Sequence, residues 1–161
     1  MGKATFAHNK EQKNITVEKI YNAPINKLWH AWTNSQMLDQ WWGPEPWKAI
    51  TKSLDFSKNG YWHYYMAGPN GEKQWCWVDY LNIIPGKEFT GRDSFCKETG
   101  VIDKKLPSTT WHVKFENINN KTKMIVTLSF DSTDDMDKMI KMGFEQGFTM
   151  GLEQLDNLLK A

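Results

Sequence analysis

Three side chains on two predicted strands could carry acid–base chemistry: His63, Tyr64 and Asp79. If Asp79 faces an apolar cavity, desolvation would raise the pKa of its carboxyl group and let it act as a general acid or base. A solvated or hydrogen-bonded carboxylate would have no such role. Neither His63 nor His112 has a serine, cysteine or carboxylate at a catalytic spacing, which favours surface or interfacial positions. The spacing therefore identifies no catalytic residue, and we favour a domain that is noncatalytic or weakly catalytic.

The sequence lacks the motifs that are typical of several other kinds of site. Cys76, Cys96 and the histidines do not form the closely spaced ligand pairs of a structural zinc site, so we expect no metal. No glycine-rich phosphate-binding motif occurs, so we expect no nucleotide cofactor. Nineteen acidic residues nearly balance twenty basic residues, and Arg92 is the only arginine, which argues against nucleic-acid binding. Because no apolar run could span a bilayer and residues 1–14 lack a signal-peptide core, we expect no membrane span and a cytoplasmic location.

Aromatic side chains give the chain its clearest binding potential, because nine tryptophans occur in 161 residues. Their flat faces suit apolar ligands or sugars, although tryptophans also fill cores and cover sheets. Strand alternation places Trp62, Tyr64 and Met66 on one face of the segment 61–67. On the next strand we favour inward positions for Trp75 and Trp77, which share a face with Asp79, although alternation alone does not fix which face is concave.

Glycines recur every four residues near the C-terminus, at Gly143, Gly147 and Gly151. They lie within 134–159, where apolar spacing predicts one long amphipathic helix. Each interior glycine costs a helix about 1 kcal/mol relative to alanine, so the stripe indicates that something approaches the backbone closely. Close packing on a sheet and space for a ligand both fit the pattern and can coexist. Charges such as that of Glu145 exclude a membrane-pairing helix.

The elements that position these residues follow from turn signals and periodicity. Residues 1–14 are polar and lack periodicity, which predicts a flexible extension before a domain over 15–161. A first strand ends at Asn22-Ala23-Pro24, and two short helices follow it. After Pro46 no long helical segment occurs until Asp134, which predicts an antiparallel sheet. With the first strand at 15–21, seven strands are predicted, the others at 47–56, 61–67, 73–84, 87–95, 109–117 and 122–130.

This order of elements resembles the START-like helix-grip domain, an α+β fold in which a curved antiparallel sheet wraps a long C-terminal helix. Local motifs are more specific and cover about 15–159. They resemble the heat-shock-protein-90 ATPase activator-like family of the SRPBCC superfamily, and they include Asn22-Ala23-Pro24, Leu28-Trp29-His30-Ala31-Trp32-Thr33, Trp41-Trp42-Gly43-Pro44, Gly68-Pro69-Asn70-Gly71, Gly143, Gly147 and Leu155-Asp156-Asn157-Leu158.

The chain also departs from that family at two places. Asp55-Phe56-Ser57-Lys58-Asn59-Gly60 lacks the arginine and paired glycines that usually follow the aspartate, and Asn82 stands where a glutamate is common. We therefore carry over no role that depends on those groups. The resemblance implies a cavity between helix and sheet for an apolar or amphipathic small molecule, or in some relatives a chaperone-binding surface. It does not imply one shared reaction.

These observations predict a small-molecule-binding domain without a cofactor. Two alternatives stay open: a co-chaperone-like module that stimulates a chaperone ATPase, with a role in stress responses, and a cyclase- or hydrolase-type enzyme that uses His63, Tyr64 or Asp79 in the same cavity. The residues also leave open whether two copies dimerise through exposed strand edges. The predicted ligand-binding residues are Trp41, Trp42, Trp62, Tyr64, Trp75, Trp77, Met139, Gly143, Gly147 and Met150.

Overall fold

The computed structural model describes residues 2–160, in which one antiparallel sheet of eight strands is joined by four helices. Within this range no helix has the length and apolar character needed to cross a membrane. The strands are β1 (Thr5–Asn9), β2 (Asn14–Tyr21), β3 (Lys48–Asp55), β4 (Tyr61–Ala67), β5 (Lys73–Ile84), β6 (Glu88–Phe95), β7 (Thr109–Ile118) and β8 (Lys121–Phe130). The helices are α1 (Ile25–Thr33), α2 (Ser35–Trp41), α3 (Thr133–Lys141) and α4 (Phe144–Lys160).

The sheet runs in the order β1-β2-β8-β7-β6-β5-β4-β3, so each strand from β3 to β7 pairs with the next along the chain. Bulges between Thr51 and Ser53 in β3 and between Tyr80 and Asn82 in β5 shift the register. Bulges bend a strand and increase its twist, which helps a sheet to curve. The edges of the sheet are β1 and β3, and dimerisation through them stays a prediction.

The core lies between one face of the sheet and the helices, as the helix-grip prediction requires. Buried and less buried residues alternate along β7 and β8, and Val113 and Val126 are fully buried on the inner face. Helix α4 contributes Leu152 and Leu155 to the same core. Burial of each such side chain stabilises the fold by about 1.5–3 kcal/mol. The hydroxyl of Tyr21 on β2 donates to the carbonyl oxygen of Leu152 at 3.2 Å, which ties sheet to helix.

The two predicted short helices are present and are joined by a capped turn. The side-chain oxygen of Asn34 accepts a hydrogen bond from the backbone N–H of Met37 at 3.1 Å, which caps the start of α2. The indole N–H of Trp41 donates to the carbonyl oxygen of Ala31 at 2.9 Å. This buried contact fixes α2 against α1.

The N-terminal segment differs from the sequence prediction, because Thr5–Asn9 forms a strand where a flexible extension over 1–14 was expected. β1 pairs with β2 in a register that sets Phe6 opposite Val17. The ring of Phe6 meets that of Phe148 on α4 edge to face, with centroids 6.5 Å apart. As an edge strand β1 exposes four of its five residues, so it has no apolar alternation that could be recognised. The sheet therefore has eight strands rather than seven.

The C-terminal helix also differs in detail, because α3 and α4 replace one continuous helix over 134–159. Gly143 separates them with a φ of +84°, a left-handed conformation that favours glycine. Its N–H donates to the carbonyl oxygen of Ile140 at 3.1 Å. Ser132 caps the start of α3, since its hydroxyl accepts from the backbone N–H of Asp135 at 3.0 Å. The long C-terminal helix is therefore α4, and Gly143 lies before it.

Candidate functional site

An open cavity of about 260 Å³ lies between strands β4 to β7 and the junction of α3 with α4. Its wall is mostly apolar, with a few polar groups supplied by the strands. The apolar lining residues are Trp42, Pro44, Met66, Phe95, Trp111, Met139, Met142, Phe144 and Phe148. The polar lining residues are Tyr64, Gln74, Cys76, Asp93 and Thr109, and Gly143 and Gly147 complete the wall.

Aromatic rings from three parts of the chain form one continuous side of this cavity. The ring centroid of Trp111 on β7 lies 5.2 Å from that of Trp42 and 5.2 Å from that of Phe148. Phe144 stacks on Phe148 at 5.6 Å, one turn away on α4. Such pairs contribute about 0.5–1.5 kcal/mol each beyond the burial of their area. The packed rings therefore give the cavity a preformed aromatic wall.

The three glycines that form a stripe in the sequence have different surroundings. A Cβ atom at Gly151 would stand 3.4 Å from the carbonyl oxygen of Trp41, so this glycine allows close packing of α4 against the end of α2. A Cβ atom at Gly147 would only touch Pro44, at an ordinary 3.6 Å, and one at Gly143 would meet nothing nearer than 3.9 Å. Gly151 thus serves packing, whereas Gly143 and Gly147 leave space at the cavity.

Half of the predicted ligand-binding residues lie together at this cavity. They come from the end of α2, from β4 and from both C-terminal helices, and they are Trp42, Tyr64, Met139, Gly143 and Gly147. Their binding role stays a prediction. The spacing of the glycines and the alternation in β4 were the sequence signals that identified them.

Three other predicted residues occupy different positions. Trp62 stacks on Tyr64, with ring centroids 3.9 Å apart, and lines an adjoining void of about 30 Å³ that shares Trp42, Asp93 and Trp111 with the cavity. Trp41 is fully buried at the end of α2 and packs against α1, so it does not line the cavity. Met150 is 42% exposed on α4 and does not line the cavity either. Helical spacing beside the stripe could not distinguish Met150 from Met139.

The inward orientation predicted for Trp75 and Trp77 is wrong. The register of β4 with β5 sets Tyr64 opposite Cys76, so Cys76 and its alternate neighbours on β5 face the cavity. Trp77 lies on the outer face and stacks on Tyr61, with centroids 4.6 Å apart and planes 9° apart. Because both faces of β5 carry apolar or aromatic residues, alternation could not select the inner one.

The side chains first considered for acid–base chemistry are also outside the cavity, except Tyr64. Asp79 is exposed and accepts a hydrogen bond from the indole N–H of Trp77 at 3.0 Å, so it is not a desolvated carboxylate. His63 is buried on the outer face, where its ring lies 4.9 Å from Trp75 and 5.0 Å from Trp77. Burial and the charge of Lys52 lower the pKa of His63. Neither residue can reach a ligand in the cavity.

The carboxylate that does line the cavity is Asp93, which the sequence analysis missed. It lies on β6, opposite Val78 on β5 and Thr109 on β7. Part of its side chain borders the cavity, but its Oδ1 atom is buried and has no hydrogen-bond partner. Burial raises its pKa from 3.8 to about 7, against the opposing effect of a hydrogen bond from Tyr64. Alternation was an available signal, because Asp93 shares a face with Phe95.

Tyr64 and Cys76 surround this carboxyl group with hydrogen-bonding atoms. The Tyr64 hydroxyl accepts from the indole N–H of Trp42 at 3.0 Å, which leaves its own proton free to be donated. Burial, and then the charge of Asp93, raise the pKa of Tyr64 well above its ordinary value. The same two causes raise the pKa of the Cys76 thiol. Both groups therefore stay protonated near neutral pH, while Asp93 can gain or lose a proton there.

Comparison with known proteins places this fold in a family. Residues 22–160 match the family model described as activator of Hsp90 ATPase homolog 1-like protein. No curated protein matches the chain. A solution structure from Arthrobacter aurescens is 30% identical with a TM-score of 0.92, covering 97% of this chain and 91% of its own.

Two further solved structures show the same fold. One from Staphylococcus epidermidis is 26% identical with a TM-score of 0.85, covering 97% of this chain and 93% of its own. Protein Ms6760 from Mycobacterium smegmatis is 24% identical with a TM-score of 0.89, covering 97% and 96%. The family model and the Arthrobacter structure each span nearly the whole domain. The chain therefore belongs to the activator of Hsp90 ATPase homolog 1-like protein family, within the SRPBCC fold.

Proposed function

We propose that this protein binds an apolar or amphipathic small molecule in the cavity between its sheet and its C-terminal helices. The observation that carries the proposal is the cavity itself, an open space of about 260 Å³ with aromatic and methionine walls and few polar groups. Ligand sites have this character, because apolar burial supplies affinity and a few polar groups set orientation. The glycines at the helix junction support the proposal, since larger side chains there would fill the space.

Native mass spectrometry of freshly purified protein is the first test. Mild denaturation would release any molecule that the protein carries from the cell, and its mass would identify it. A defined apolar ligand supports the proposal. A protein that emerges empty and also fails to bind a series of apolar probes would contradict it.

A matched pair of leucine variants tests the location of the ligand. Gly147→Leu places an isobutyl group beside Pro44 at the cavity and should abolish binding of the released ligand. Asn157→Leu places the same side chain at an exposed position of the same helix, away from the cavity, and should leave affinity unchanged. Equal affinities of the two variants, measured by calorimetry, would show that the ligand binds elsewhere.

An acid–base enzyme is a second candidate, favoured by the buried Asp93 beside Tyr64. A carboxyl group that titrates near neutral pH can both donate and accept a proton during a reaction. Incubation of the released ligand with wild-type protein and with Asp93→Asn tests it. A change of ligand mass, as in hydrolysis, or of chromatographic retention at constant mass, as in cyclisation, is the expected result for such an enzyme if it occurs only with the wild-type protein.

Stimulation of a chaperone ATPase is the activity that the family description names, and it supplies a further candidate. The test is to add the protein to Hsp90 and measure the rate of ATP hydrolysis. Because this activity would use a protein surface rather than the cavity, Gly147→Leu should not impair it. A rate unchanged by saturating protein would exclude this role.

A further inference from the structure

Among the described residues that line the cavity, Asp93 is the only ionisable group that changes charge near neutral pH. Among the described residues that line the space, none is a lysine, arginine, histidine or glutamate. The other titratable groups around Asp93 are Tyr64 on β4, Cys76 and Tyr80 on β5, and Cys96 just after β6. Burial raises the pKa of each of these four groups above its ordinary value, so they remain uncharged at pH 7. The cavity therefore carries either no charge or one negative charge.

The geometry of Asp93 leaves it short of hydrogen-bond donors. Its Oδ1 atom is buried without a partner, although a buried carboxylate needs several donors to be stable. The hydroxyl of Tyr64 opposes the rise of the Asp93 pKa, but it does not hydrogen-bond to Oδ1. A ligand that brings a donor to the carboxyl group from the cavity would relieve this shortage, and a positively charged donor would also favour the ionised carboxylate. An anionic ligand would instead meet a like charge with no basic side chain to offset it.

The aromatic wall adds a second attraction for positively charged ligands. Trp42, Trp111 and Phe148 are in mutual contact at the cavity. The faces of aromatic rings attract cations, with tryptophan the strongest, by about 0.5–2 kcal/mol for each favourable contact. Because the cavity is open, a bound ammonium group could keep part of its hydration, which reduces the desolvation cost of a buried ion pair.

We infer that the cavity is a site for organic ammonium ions, that is, for apolar amines whose charged nitrogen lies beside Asp93 and whose hydrocarbon part packs on Trp42, Trp111 and Phe148. This inference rests on the proposed function and names the chemical class of its ligand. The carboxylate selects the charged end, and the aromatic and methionine walls select the apolar end.

Three probes with the same ring system separate the charge from the apolar contact: naphthylethylamine, naphthylethanol and naphthylacetic acid. Calorimetric titration at pH 8 should show the amine binding about tenfold more tightly than the alcohol, because hydrogen bonds between charged groups exceed neutral ones by about 1 kcal/mol or more. The acid should bind most weakly. Binding of the alcohol as tightly as the amine, or tightest binding of the acid, overturns the inference while leaving the proposed function intact.

The pH dependence identifies Asp93 as the selecting group. With a pKa of about 7, the ionised fraction rises about thirtyfold between pH 5.5 and pH 8, so amine affinity should rise toward the full advantage of about tenfold that the charge supplies. Alcohol affinity should hardly change. In Asp93→Asn, a replacement of nearly equal shape, the amine should lose its advantage and its pH dependence. A wild-type amine affinity that is constant across this range overturns the inference without relying on any variant.

A second variant keeps the experiment informative if Asp93→Asn does not fold. Tyr64→Phe removes the hydroxyl that donates to Asp93, which should raise the carboxyl pKa further and shift the rise in amine affinity to higher pH. A profile that does not move counts against Asp93 as the titrating group. If none of the three probes binds, the proposed function fails together with the inference.

Discussion

Asp93→Asn should make the protein more stable at neutral and alkaline pH, although it removes a charged group from a cavity wall. The pKa of Asp93 rises from 3.8 to about 7 in the folded protein. The native state therefore binds this proton more tightly than the unfolded chain does. Between about pH 4 and pH 7 folding takes up a proton, so the free energy of unfolding falls as the pH rises. Asparagine does not titrate, so the Asp93→Asn variant does not undergo this decrease in the free energy of unfolding.

The magnitude follows from the size of the pKa change. A rise from 3.8 to about 7 corresponds to about 4 kcal/mol, at about 1.4 kcal/mol for each pH unit. Water that enters the open cavity solvates part of the carboxyl group, so we expect a pH-dependent difference of about 2–4 kcal/mol. The cost is absent below about pH 4, where both states are protonated, and is complete above about pH 7. The asparagine side chain adds only an offset that does not vary with pH.

The assay is urea unfolding of both proteins at several pH values from 4 to 8. Titration of all other shared groups cancels in the difference between the two free energies of unfolding. Asp131→Asn is a control of opposite sign, because the hydrogen bond from Arg92 lowers the pKa of Asp131. Its stabilising effect is present above the unfolded pKa of 3.8 and is lost only at lower pH, so the difference for Asp131→Asn should stay nearly constant from pH 4 to 8. A difference for Asp93→Asn that is constant from pH 4 to 8 would refute the buried-acid argument.

Two further predictions test the departures from the sequence-based fold. Gly143→Ala should destabilise the protein by about 1–2 kcal/mol, because the backbone of Gly143 has a positive φ. Gly147→Ala should stabilise it by up to about 1 kcal/mol, because Gly147 lies inside α4 with room for a Cβ atom. Equal effects of the two substitutions in thermal unfolding would contradict the helix break. Phe6→Ala removes the ring that meets Phe148 and should cost about 1 kcal/mol, while exposed Thr5→Ala should be nearly neutral; no loss in urea unfolding would argue against β1 as part of the fold.

The fold could be predicted from sequence where turn residues and periodicity agree. Gly68-Pro69-Asn70-Gly71 separates β4 from β5 as expected, and Ser132 caps α3. These signals are local, so they need no knowledge of the partner strand. The helix break at Gly143 could not be predicted in the same way. Glycine tolerates both helical and left-handed conformations, so regular spacing did not distinguish Gly143 from Gly147.

The site was harder to predict because it depends on strand faces and on register. On β5 the alternating sets that contain Trp75 and Cys76 are both apolar enough to face a core, and only pairing with Tyr64 decides between them. On β6 the strand alternation was clear, because Asp93 lies on the same face as the buried Phe89. A carboxylate at this inward position, however, conflicts with the rule that inward positions are apolar. A residue that breaks a local rule in this way is a candidate for function.

Asp93 therefore indicates a narrower class of ligand than the fold alone does. The helix-grip architecture explains why a cavity exists, and Gly143 and Gly147 leave space at its wall while Gly151 packs closely against the end of α2. That geometry would accept many apolar molecules and selects no reaction. A carboxyl group that costs the folded state several kcal/mol at neutral pH would be replaced at little structural loss by an apolar or amide side chain. Its presence in an otherwise uncharged aromatic wall favours a ligand whose positive charge offsets that cost.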